Sequence, residues 1–467
     1  MIYPHFKFVE LRHERPHITN MQEGQCMRTN KQTNKQTRAL VIAVSAALMI
    51  GGCAAKKEEE GGKADPQTVG VKQEAPLEPV TLKFHQLGTY FTPEDFKMLL
   101  ADPVHKKYPH ITLEMINSQN DMAKMLAMGE QVDFLVTYNG RLAPHKDLNI
   151  LEDITPLAKK HNFDLTRFDP GALDALKSAS DKGELYALPY AVNLNALYYN
   201  KDIFDKFGVG YPSDGLTWEN AIELGKKVGR QEGGTQYRGL EMDNLARLLF
   251  PLSLNVIDPK TDKAMVNSDP YKTAFEIGKS IYSIPGNDYK TGTGAIDRFS
   301  KDRNVAMLGS VNLFLTLRQM PDLNWDLAQF PSYKEKPNTY GMYDLHLLIP
   351  MKMSQYKDDQ MRVMEVMFSD EVQNAMVRKT ARISTLKDPK YSQQFAQEIS
   401  ELKGKRIEAV FKSKPAPAMA FSVYYSNAYT LLNAEYEAML QGKQDTNTAL
   451  RTAEEKINQL IKTEKGK

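Results

Sequence analysis

The chain has 467 residues, of which 42% are hydrophobic and 25% are charged, as in an ordinary soluble globular protein. This length is enough for two or three domains with a sizeable core. The formal net charge is +2, and residues 53–467 taken alone are slightly acidic. Basic residues are scattered along the chain, whereas nucleic-acid binding requires a concentrated basic patch. We therefore expect no nucleic-acid partner.

The first 52 residues have the character of a leader. Residues 1–26 show no periodicity, and their histidines lack the spacing of metal ligands. We interpret them as an over-extended start, with Met27 as the true initiator. From Met27 a basic stretch precedes about a dozen apolar residues, too few to span a bilayer, which needs ~20. Residues 27–52 therefore predict a signal peptide.

The apolar segment ends in Met49-Ile50-Gly51-Gly52-Cys53, which resembles a bacterial lipobox. The resemblance implies that diacylglycerol is attached to the Cys53 thiol and that Cys53 becomes the mature N-terminus. Two acyl chains give stable membrane attachment. Cys26 is the other cysteine of the chain, so the mature protein has no thiol for a disulfide, a metal or a nucleophile. We expect a lipid anchor, no metal and no cofactor.

Residues 53–79 are charged and contain Gly and Pro but few large apolar groups. Such a segment cannot bury enough surface to fold, so it predicts a flexible tether. The anchor and the tether favour a location on the outer face of the cytoplasmic membrane, at a Gram-positive cell surface.

The folded part opens with strand and helix patterns in alternation. Residues 80–85, 111–116 and 132–136 have strand patterns, and residues 94–100 and 121–128 have helical ones. This order predicts a parallel, doubly wound sheet. The loops that follow its strands, which include residues 87–91 and 137–141, would then lie at the carboxyl edge, where ligands bind.

Residues 183–200, GELYALPYAVNLNALYYN, contain two β-prone runs joined by Pro189. Proline removes a donor from a strand ladder, so Pro189 predicts an edge or a crossover between two bodies. A short amphipathic helix closed by Gly208 follows this segment. Thr217 is the expected N-cap of the next helix.

The order of these parts strongly resembles the first hinge of extracellular solute-binding proteins of the maltose-binding type (family 1). These proteins capture ligands for ABC importers. The motif is Gly-x-Leu-Tyr-Ala-Leu-Pro-Tyr, then Tyr-Tyr-Asn-Lys-Asp-Ile-Phe, then Thr-Trp-Glu. Residues 299–310, residues 324–331 and the C-terminal helical segments match the family in the expected order. The resemblance covers the whole chain after the tether.

This resemblance implies an α/β fold of the type II periplasmic-binding-protein kind. Each of its two lobes has a mixed, mostly parallel sheet flanked by helices, and hinge crossovers join the lobes. The expected division is lobe 1 over residues 80–190 and 342–390, and lobe 2 over residues 191–341 and 391–467. We also expect helices over residues 395–411, 421–440 and 446–461.

The resemblance also implies ligand-binding positions around a cleft between the lobes. Asn193 matches a position that contacts ligand in the maltose-binding relatives. Residues 137–141 follow a strand that precedes ligand contacts in the family, although an exposed Tyr-Asn-Gly turn is an equal alternative there. The predicted ligand-binding residues are Tyr90, Thr137, Tyr138, Asn139, Arg141, Tyr190, Asn193, Glu241, Gly309, Ser310, Tyr340, Tyr343 and Arg382.

Two segments depart from the family pattern. Val311 and Asn312 stand where the family often has an aromatic residue, which weakens the case for a sugar-stacking platform. Residues 382–386 take the place of a loop near the cleft but lack its proline.

We expect a monomer that captures a small solute, with an oligosaccharide or glycoside favoured, and delivers it to an ABC permease. A surface sensor that presents ligand to a receptor kinase would have the same fold. A secreted carbohydrate-active enzyme is the third alternative. The chain lacks the nucleophile elbow Gly-x-Ser-x-Gly, the zinc motif His-Glu-x-x-His and a phosphate loop, so we predict no catalytic residue.

Overall fold

The structure is a computed structural model that describes residues 77–116, 118, 120–290 and 294–466. The predicted leader, the lipidation site Cys53 and the predicted tether up to residue 76 lie outside the described residues. From Leu77 onward the chain forms one compact unit. Within the described ranges, no helix is both long and apolar enough to cross a membrane.

The strands of the described chain follow in order. They are β1 (Val80–Gln86), β2 (Ile111–Ile116), β3 (Phe134–Tyr138), β4 (Leu188–Val192), β5 (Asn195–Asn200), β6 (Arg230–Glu232), β7 (Thr235–Tyr237), β8 (Glu241–Met242), β9 (Met307–Val311), β10 (Trp325–Ala328), β11 (Thr339–Met342), β12 (Leu345–Pro350), β13 (Ile383–Ser384) and β14 (Lys414–Ala416).

The α-helices are interspersed among these strands. They are α1 (Pro93–Phe96), α2 (Asp102–Lys107), α3 (Met122–Ala127), α4 (Leu142–Asp147), α5 (Thr155–Lys160), α6 (Pro170–Lys177), α7 (Lys201–Phe207), α8 (Trp218–Val228), α9 (Ala246–Leu249), α10 (Asp269–Tyr282), α11 (Ala295–Ser300), α12 (Phe314–Leu317), α13 (Lys357–Met367), α14 (Asp370–Thr380), α15 (Pro389–Gln393), α16 (Tyr425–Leu440) and α17 (Thr446–Lys465). A π-helical turn (Lys97–Ala101) joins α1 to α2.

Lobe 1 is built on a six-stranded sheet in the order β13-β4-β12-β3-β1-β2. Alternate side chains of β1 enter its core, because Val80 and Leu82 are buried while Thr81 between them is exposed. The Phe84 ring stacks on Phe134 of β3 with centroids 4.5 Å apart. Lobe 2 contains a four-stranded sheet in the order β10-β5-β9-β8.

Both sheets are mixed, as predicted, but they are not mostly parallel. Among the described strands of these two sheets, parallel pairing is confined to β1 with β2, β1 with β3, and β8 with β9. The remaining pairs are antiparallel. The reason is the double crossing between the lobes. Strand β3 ends at the cleft, and β12 starts there on its return from lobe 2, so the two neighbours run in opposite directions.

Pro189 differs from its predicted place at an edge or crossover. It lies in β4, which is an interior strand between β13 and β12. The pairing of β4 with β12 shifts register between His346 and Leu347, and Leu347 is opposite Pro189. On the other side β13 ends at Ser384, opposite Ala191. Pro189 is therefore at a bulge, where a missing N–H does not interrupt a regular ladder.

Two local predictions about helix ends are confirmed. The Thr217 hydroxyl accepts a hydrogen bond from the Asn220 N–H at 3.3 Å and caps α8. Gly208 ends α7 in the left-handed region with φ of 63°. The predicted C-terminal helices also appear, as α16 and α17.

The predicted helix over residues 395–411 is wrong. In that range the structure has two short 3₁₀ segments, Ser400–Leu402 and Ile407–Phe411. Ala396 has φ of 59° and Gly404 has φ of 81°, so the backbone leaves the right-handed helical region at both residues. The apolar side chains of this segment still pack into the core of lobe 2, where Phe395, Ile399 and Leu402 are buried.

Candidate functional site

A small pocket lies between the lobes, beside the chain crossings, with a cavity volume of about 90 Å³. We call it the interlobe pocket. Its lining comes from the loop after β1, from both lobes near the hinge, and from the segment that joins α14 to β13. The lining residues are Thr89, Tyr90, Thr92, Asp95, Asn193, Val311, Asn312, Phe314, Leu315, Arg318, His346, Lys379, Thr380, Arg382 and Ile399.

The loop after β1 is held by the side chain of Gln86. The Gln86 Oε1 accepts hydrogen bonds from the N–H groups of Tyr90 and Phe91, both at 3.1 Å. Its Nε2 donates to the Phe91 carbonyl at 3.2 Å. These three hydrogen bonds hold the loop so that the Tyr90 ring lies edge-on to the His346 ring of β12, with ring centroids 5.0 Å apart. One face of the pocket is therefore aromatic and fixed by a single amide.

Arg382 closes the same side of the pocket. Its Nη2 donates to the Tyr90 carbonyl and to Asp95 Oδ2, each at 2.7 Å. Its Nη1 is buried and has no hydrogen-bond partner among the described residues. The guanidinium also lies 5.7 Å from the centre of the Phe91 ring. The Nη2 of the guanidinium is thus hydrogen-bonded within the protein, whereas its Nη1 is not.

Two further polar groups lie close to Arg382. Burial, with a smaller contribution from the Arg382 charge, lowers the pKa of His346 to about 3, so its imidazole is neutral at physiological pH. Burial raises the pKa of Tyr190, whose ring stacks on Phe91 at 4.9 Å. In the described part of the chain, neither Nδ1 of His346 nor Oη of Tyr190 has a hydrogen-bond partner.

Polar side chains also join the two crossovers that form the hinge. Asn193 follows β4, and its Nδ2 donates to Asp344 Oδ2 at 3.1 Å. Asp344 precedes β12, and burial raises the pKa of its carboxyl group. Asn139, at the end of β3, donates to the Tyr343 carbonyl at 2.9 Å and accepts from the Leu345 N–H at 3.0 Å. The second crossover is therefore fixed to lobe 1 through the Asn139 amide.

Lobe 2 contains an ionic group close to the hinge, outside the lining of the interlobe pocket. The Ser310 hydroxyl donates to Asp243 Oδ2 at 2.9 Å, and Arg247 Nε lies 2.9 Å from Asp243 Oδ1. Arg247 also donates from Nη1 to Asn195 Oδ1 at 2.7 Å. The Arg247 charge acts on Asp344, since it opposes the rise of the Asp344 pKa. This arginine is thus electrostatically coupled to the hinge.

Direct contacts already connect the two lobes. Asn312, after β9, donates from Nδ2 to the Ala381 carbonyl at 2.8 Å. The Tyr138 ring contacts Phe421 edge-on, with centroids 6.4 Å apart. Burial raises the pKa of Tyr138 to about 12, although a hydrogen bond with Arg141 opposes the rise.

The structure divides the predicted ligand-binding residues into groups. Tyr90, Asn193 and Arg382 line the interlobe pocket. Tyr138 and Arg141 lie at the end of β3, in the second contact between the lobes. The other predicted residues do not line the interlobe pocket: Thr137, Asn139, Tyr190, Glu241, Gly309, Ser310, Tyr340 and Tyr343.

Several of this last group have structural contacts instead. Glu241 is completely buried and forms ion pairs with Arg238 and Arg298. Tyr343 donates from its hydroxyl to Asp169 Oδ1 at 3.0 Å, at the start of α6. Tyr340 is buried in the core of lobe 2.

Sequence reasoning missed Asp95, Asn312, Asp344 and His346 at the site. His346 is hidden inside an apolar strand pattern, and the aspartates have no local signal because their partners come from distant parts of the chain. Arg247 was also missed, although a charged residue within the apolar run over residues 245–254 was a usable signal.

The family model described as Bacterial extracellular solute-binding protein matches residues 100–400. This chain belongs to that family. The predicted resemblance to extracellular solute-binding proteins is therefore confirmed.

Among curated relatives is the sn-glycerol-3-phosphate-binding periplasmic protein UgpB of Brucella abortus (strain 2308). It is 26% identical over 321 residues, which cover 64% of this chain and 72% of that protein. The UgpB protein of Rhizobium meliloti (strain 1021) is 24% identical over 319 residues, which cover 64% and 73% of the two chains.

Solved structures show the same two-lobed fold. The substrate-binding protein Lmo0181 from Listeria monocytogenes, in complex with cycloalternan, has a TM-score of 0.68 at 18% identity, covering 82% of this chain and 99% of that one. The sugar-binding protein MalE from Xanthomonas citri has a TM-score of 0.65 at 18% identity, covering 83% and 98%. The α/β, two-lobed fold class predicted from the sequence is confirmed.

Proposed function

We propose that this solute-binding protein captures a carbohydrate, an oligosaccharide or glycoside, by closing its lobes and delivers it to an ABC permease. The observation that carries the proposal is the interlobe pocket, because its wall combines groups from both lobes and from the hinge. A solute bound there contacts both lobes at once. It can therefore stabilise the closed arrangement by its differential affinity for that arrangement.

The chemistry of the pocket wall suits a glycoside. Tyr90 and Phe314 offer apolar ring surface, and Asn193, Thr92 and Asn312 offer groups that can bond hydroxyls. Similar proteins also favour carbohydrate: Lmo0181 is in complex with cycloalternan and CpMnBP1 with mannotriose. The UgpB relatives, named for binding sn-glycerol 3-phosphate, add a phosphorylated polyol to the candidate ligands.

The location is part of the same proposal. A lipid on Cys53, followed by the charged segment up to residue 79, would hold the lobes near a membrane-embedded permease and leave them free to close. The protein would then act as a monomer on the outer face of the cytoplasmic membrane.

A thermal-shift screen of the full chain tests the proposal. The panel contains mono- and oligosaccharides, sn-glycerol 3-phosphate, peptides and polyamines. A ligand at 100 times its Kd adds about 2.7 kcal/mol to the free energy of unfolding, which is a measurable shift in Tm. We expect a selective shift with carbohydrates, unchanged after prolonged incubation.

A matched pair of variants locates the effect. Asn193→Ala, in the pocket, should reduce the ligand-induced shift, whereas Arg167→Gln on the lobe 1 surface, where Arg167 pairs with Asp370, should leave it unchanged. A shift with peptides or polyamines but no carbohydrate would contradict the proposed ligand class. Turnover of a bound sugar would contradict the binding-protein role.

A further inference from the structure

Three of the buried polar atoms that lack a hydrogen-bond partner among the described residues belong to side chains that contact one another beside the interlobe pocket. The Nη1 of Arg382, the Nδ1 of His346 and the Oη of Tyr190 are all buried there without a partner among the described residues. The residues that carry these three atoms are connected by ring contacts. The Phe91 ring lies against the Tyr190 ring and the Arg382 guanidinium, and the ring centroids of Tyr190 and His346 are 6.0 Å apart. They form one cluster, which we call the donor cluster.

A buried donor without an acceptor costs free energy, and a charged donor costs most. Arg382 and His346 belong to the wall of the interlobe pocket. Arg382 has already used its Nη2 on Asp95 and on the Tyr90 carbonyl, and these bonds fix the orientation of the guanidinium plane. Its remaining edge is therefore held in place for an acceptor that the described chain does not supply.

The charges of the pocket favour an anion. Arg318, Lys379 and Arg382 line it, and Asp95 is the acid found among its described lining residues. Glu401 and Glu398 pair with Arg318 and Lys379, but neither of them lines the pocket. Asp95 is already engaged by Arg382. An incoming anion therefore meets positive charge at the wall and a guanidinium edge that suits carboxylate or phosphate oxygens.

We infer that the solute carries an anionic group, a carboxylate, sulfate or phosphate on a sugar or polyol, which binds at the donor cluster with Arg382 Nη1 as its principal donor. This inference rests on the proposed function and narrows its substrate class from carbohydrates to acidic ones. His346 lines the same wall, and its Nδ1 can donate to the anion in the tautomer that carries a proton there. Tyr190 lies behind this wall, against the Phe91 and His346 rings, and adds no formal charge.

Calorimetric titration of the full chain with matched pairs of ligands tests the inference. Each pair shares a carbon skeleton and differs in charge: digalacturonate and galactobiose, N-acetylglucosamine 6-sulfate and N-acetylglucosamine, sn-glycerol 3-phosphate and glycerol. The three arms distinguish a carboxylate, a sulfate and a phosphate. We expect the anionic member of at least one pair to bind tenfold or more tightly than its neutral partner.

Two variants assign that preference to a residue. Arg382→Gln should reduce the preference, which is the ratio of the affinities for the anionic and neutral members, at least tenfold. Arg167→Gln removes an arginine paired with Asp370 outside the pocket and should retain the preference. The Tm and circular dichroism of Arg382→Gln establish that this variant is folded.

The results that would overturn this inference differ from those that would overturn the proposed function. Tight binding of neutral sugars without preference for charged partners would overturn the inference and leave carbohydrate capture intact. A preference that survives Arg382→Gln would also overturn it, since the anion would then bind elsewhere. Absence of binding to every sugar and polyol, charged or neutral, would overturn both the inference and the proposed function.

Discussion

Asn193 and Asp344 are bonded to each other twice, once through their main chains and once through their side chains. The Asn193 N–H donates to the Asp344 carbonyl at 2.8 Å, and its Nδ2 donates to Asp344 Oδ2 at 3.1 Å. One residue belongs to the crossover that leaves lobe 1 and the other to the crossover that returns to it. The two hinge segments are thereby joined to each other beside the pocket that Asn193 lines.

The first prediction concerns the pH dependence of stability through Asp344. Burial raises the pKa of this carboxyl group in the folded protein. An unfolded aspartate loses its proton near pH 3.9, so between that pH and the folded pKa the folded state binds more protons. The free energy of unfolding therefore falls as pH rises through this window. Asp344→Asn should raise the Tm near pH 7, and the gain should shrink toward zero below about pH 4.

Urea unfolding at pH 7 and at pH 3.5 measures this effect in both proteins. Asn193 can still donate to the amide oxygen of the variant, so the hinge contact is retained. Equal destabilisation of Asp344→Asn at both pH values would show that the carboxylate is required in its ionised form and would contradict the prediction.

A second prediction concerns Glu241. Its carboxylate is fully buried between Arg238 and Arg298, and neither the glutamate nor the arginines line the interlobe pocket. Glu241→Gln should lower the free energy of unfolding by about 3–5 kcal/mol, because it leaves buried arginine charge uncompensated. Glu371, which pairs with Lys106 on the surface, is the matched control, and Glu371→Gln should cost less than about 1 kcal/mol.

Chemical denaturation gives the stability of both variants, and ligand titration of folded Glu241→Gln separates structure from binding. A stable variant with lost affinity would restore the ligand-contacting role that the sequence suggested for Glu241. A destabilised variant with unchanged affinity agrees with the ion pairs seen in the structure.

The third prediction concerns the lipid anchor. Cys26 and Cys53 are the two cysteines of the chain, which provides an internal control. When the full chain is expressed in a bacterium that makes lipoproteins, an alkyne-tagged fatty acid should label the wild type and Cys26→Ser equally. Cys53→Ser should lose the label and the membrane fraction should lose the protein. Labelling of Cys53→Ser, or none in the wild type, would refute the lipobox assignment.

The parts of the fold that sequence predicted well are those fixed by local chemistry. Thr217 and Gly208 mark helix ends through their own side-chain oxygen and their own backbone freedom, so neighbouring residues suffice to identify them. The hinge motif is long and continuous, and it identified the family. Asn193 lies within that motif and was predicted as a ligand-binding residue for that reason.

Other features depend on residues far away in sequence. The burial of Glu241 reflects Arg298, which is 57 residues distant, and the direction of β12 reflects the return of the chain from lobe 2. Arg382 was predicted as a binding residue from the loop in which it lies. The structure adds that its Nη2 is bonded to Tyr90 and Asp95, almost 300 residues earlier, and that its Nη1 has no partner among the described residues. Local sequence patterns do not show which distant residues will be paired in the folded protein.

Spin-label distance measurement between the lobes tests the central claim most directly. Lys97 in lobe 1 and Lys301 in lobe 2 have exposed side chains and can be replaced by labelled cysteines in a Cys26→Ser, Cys53→Ser background. Saturation with a carbohydrate from the thermal-shift screen should change the mean distance and narrow its distribution, while a non-binding sugar leaves both unchanged. An identical distribution with and without saturating ligand would contradict capture by lobe closure.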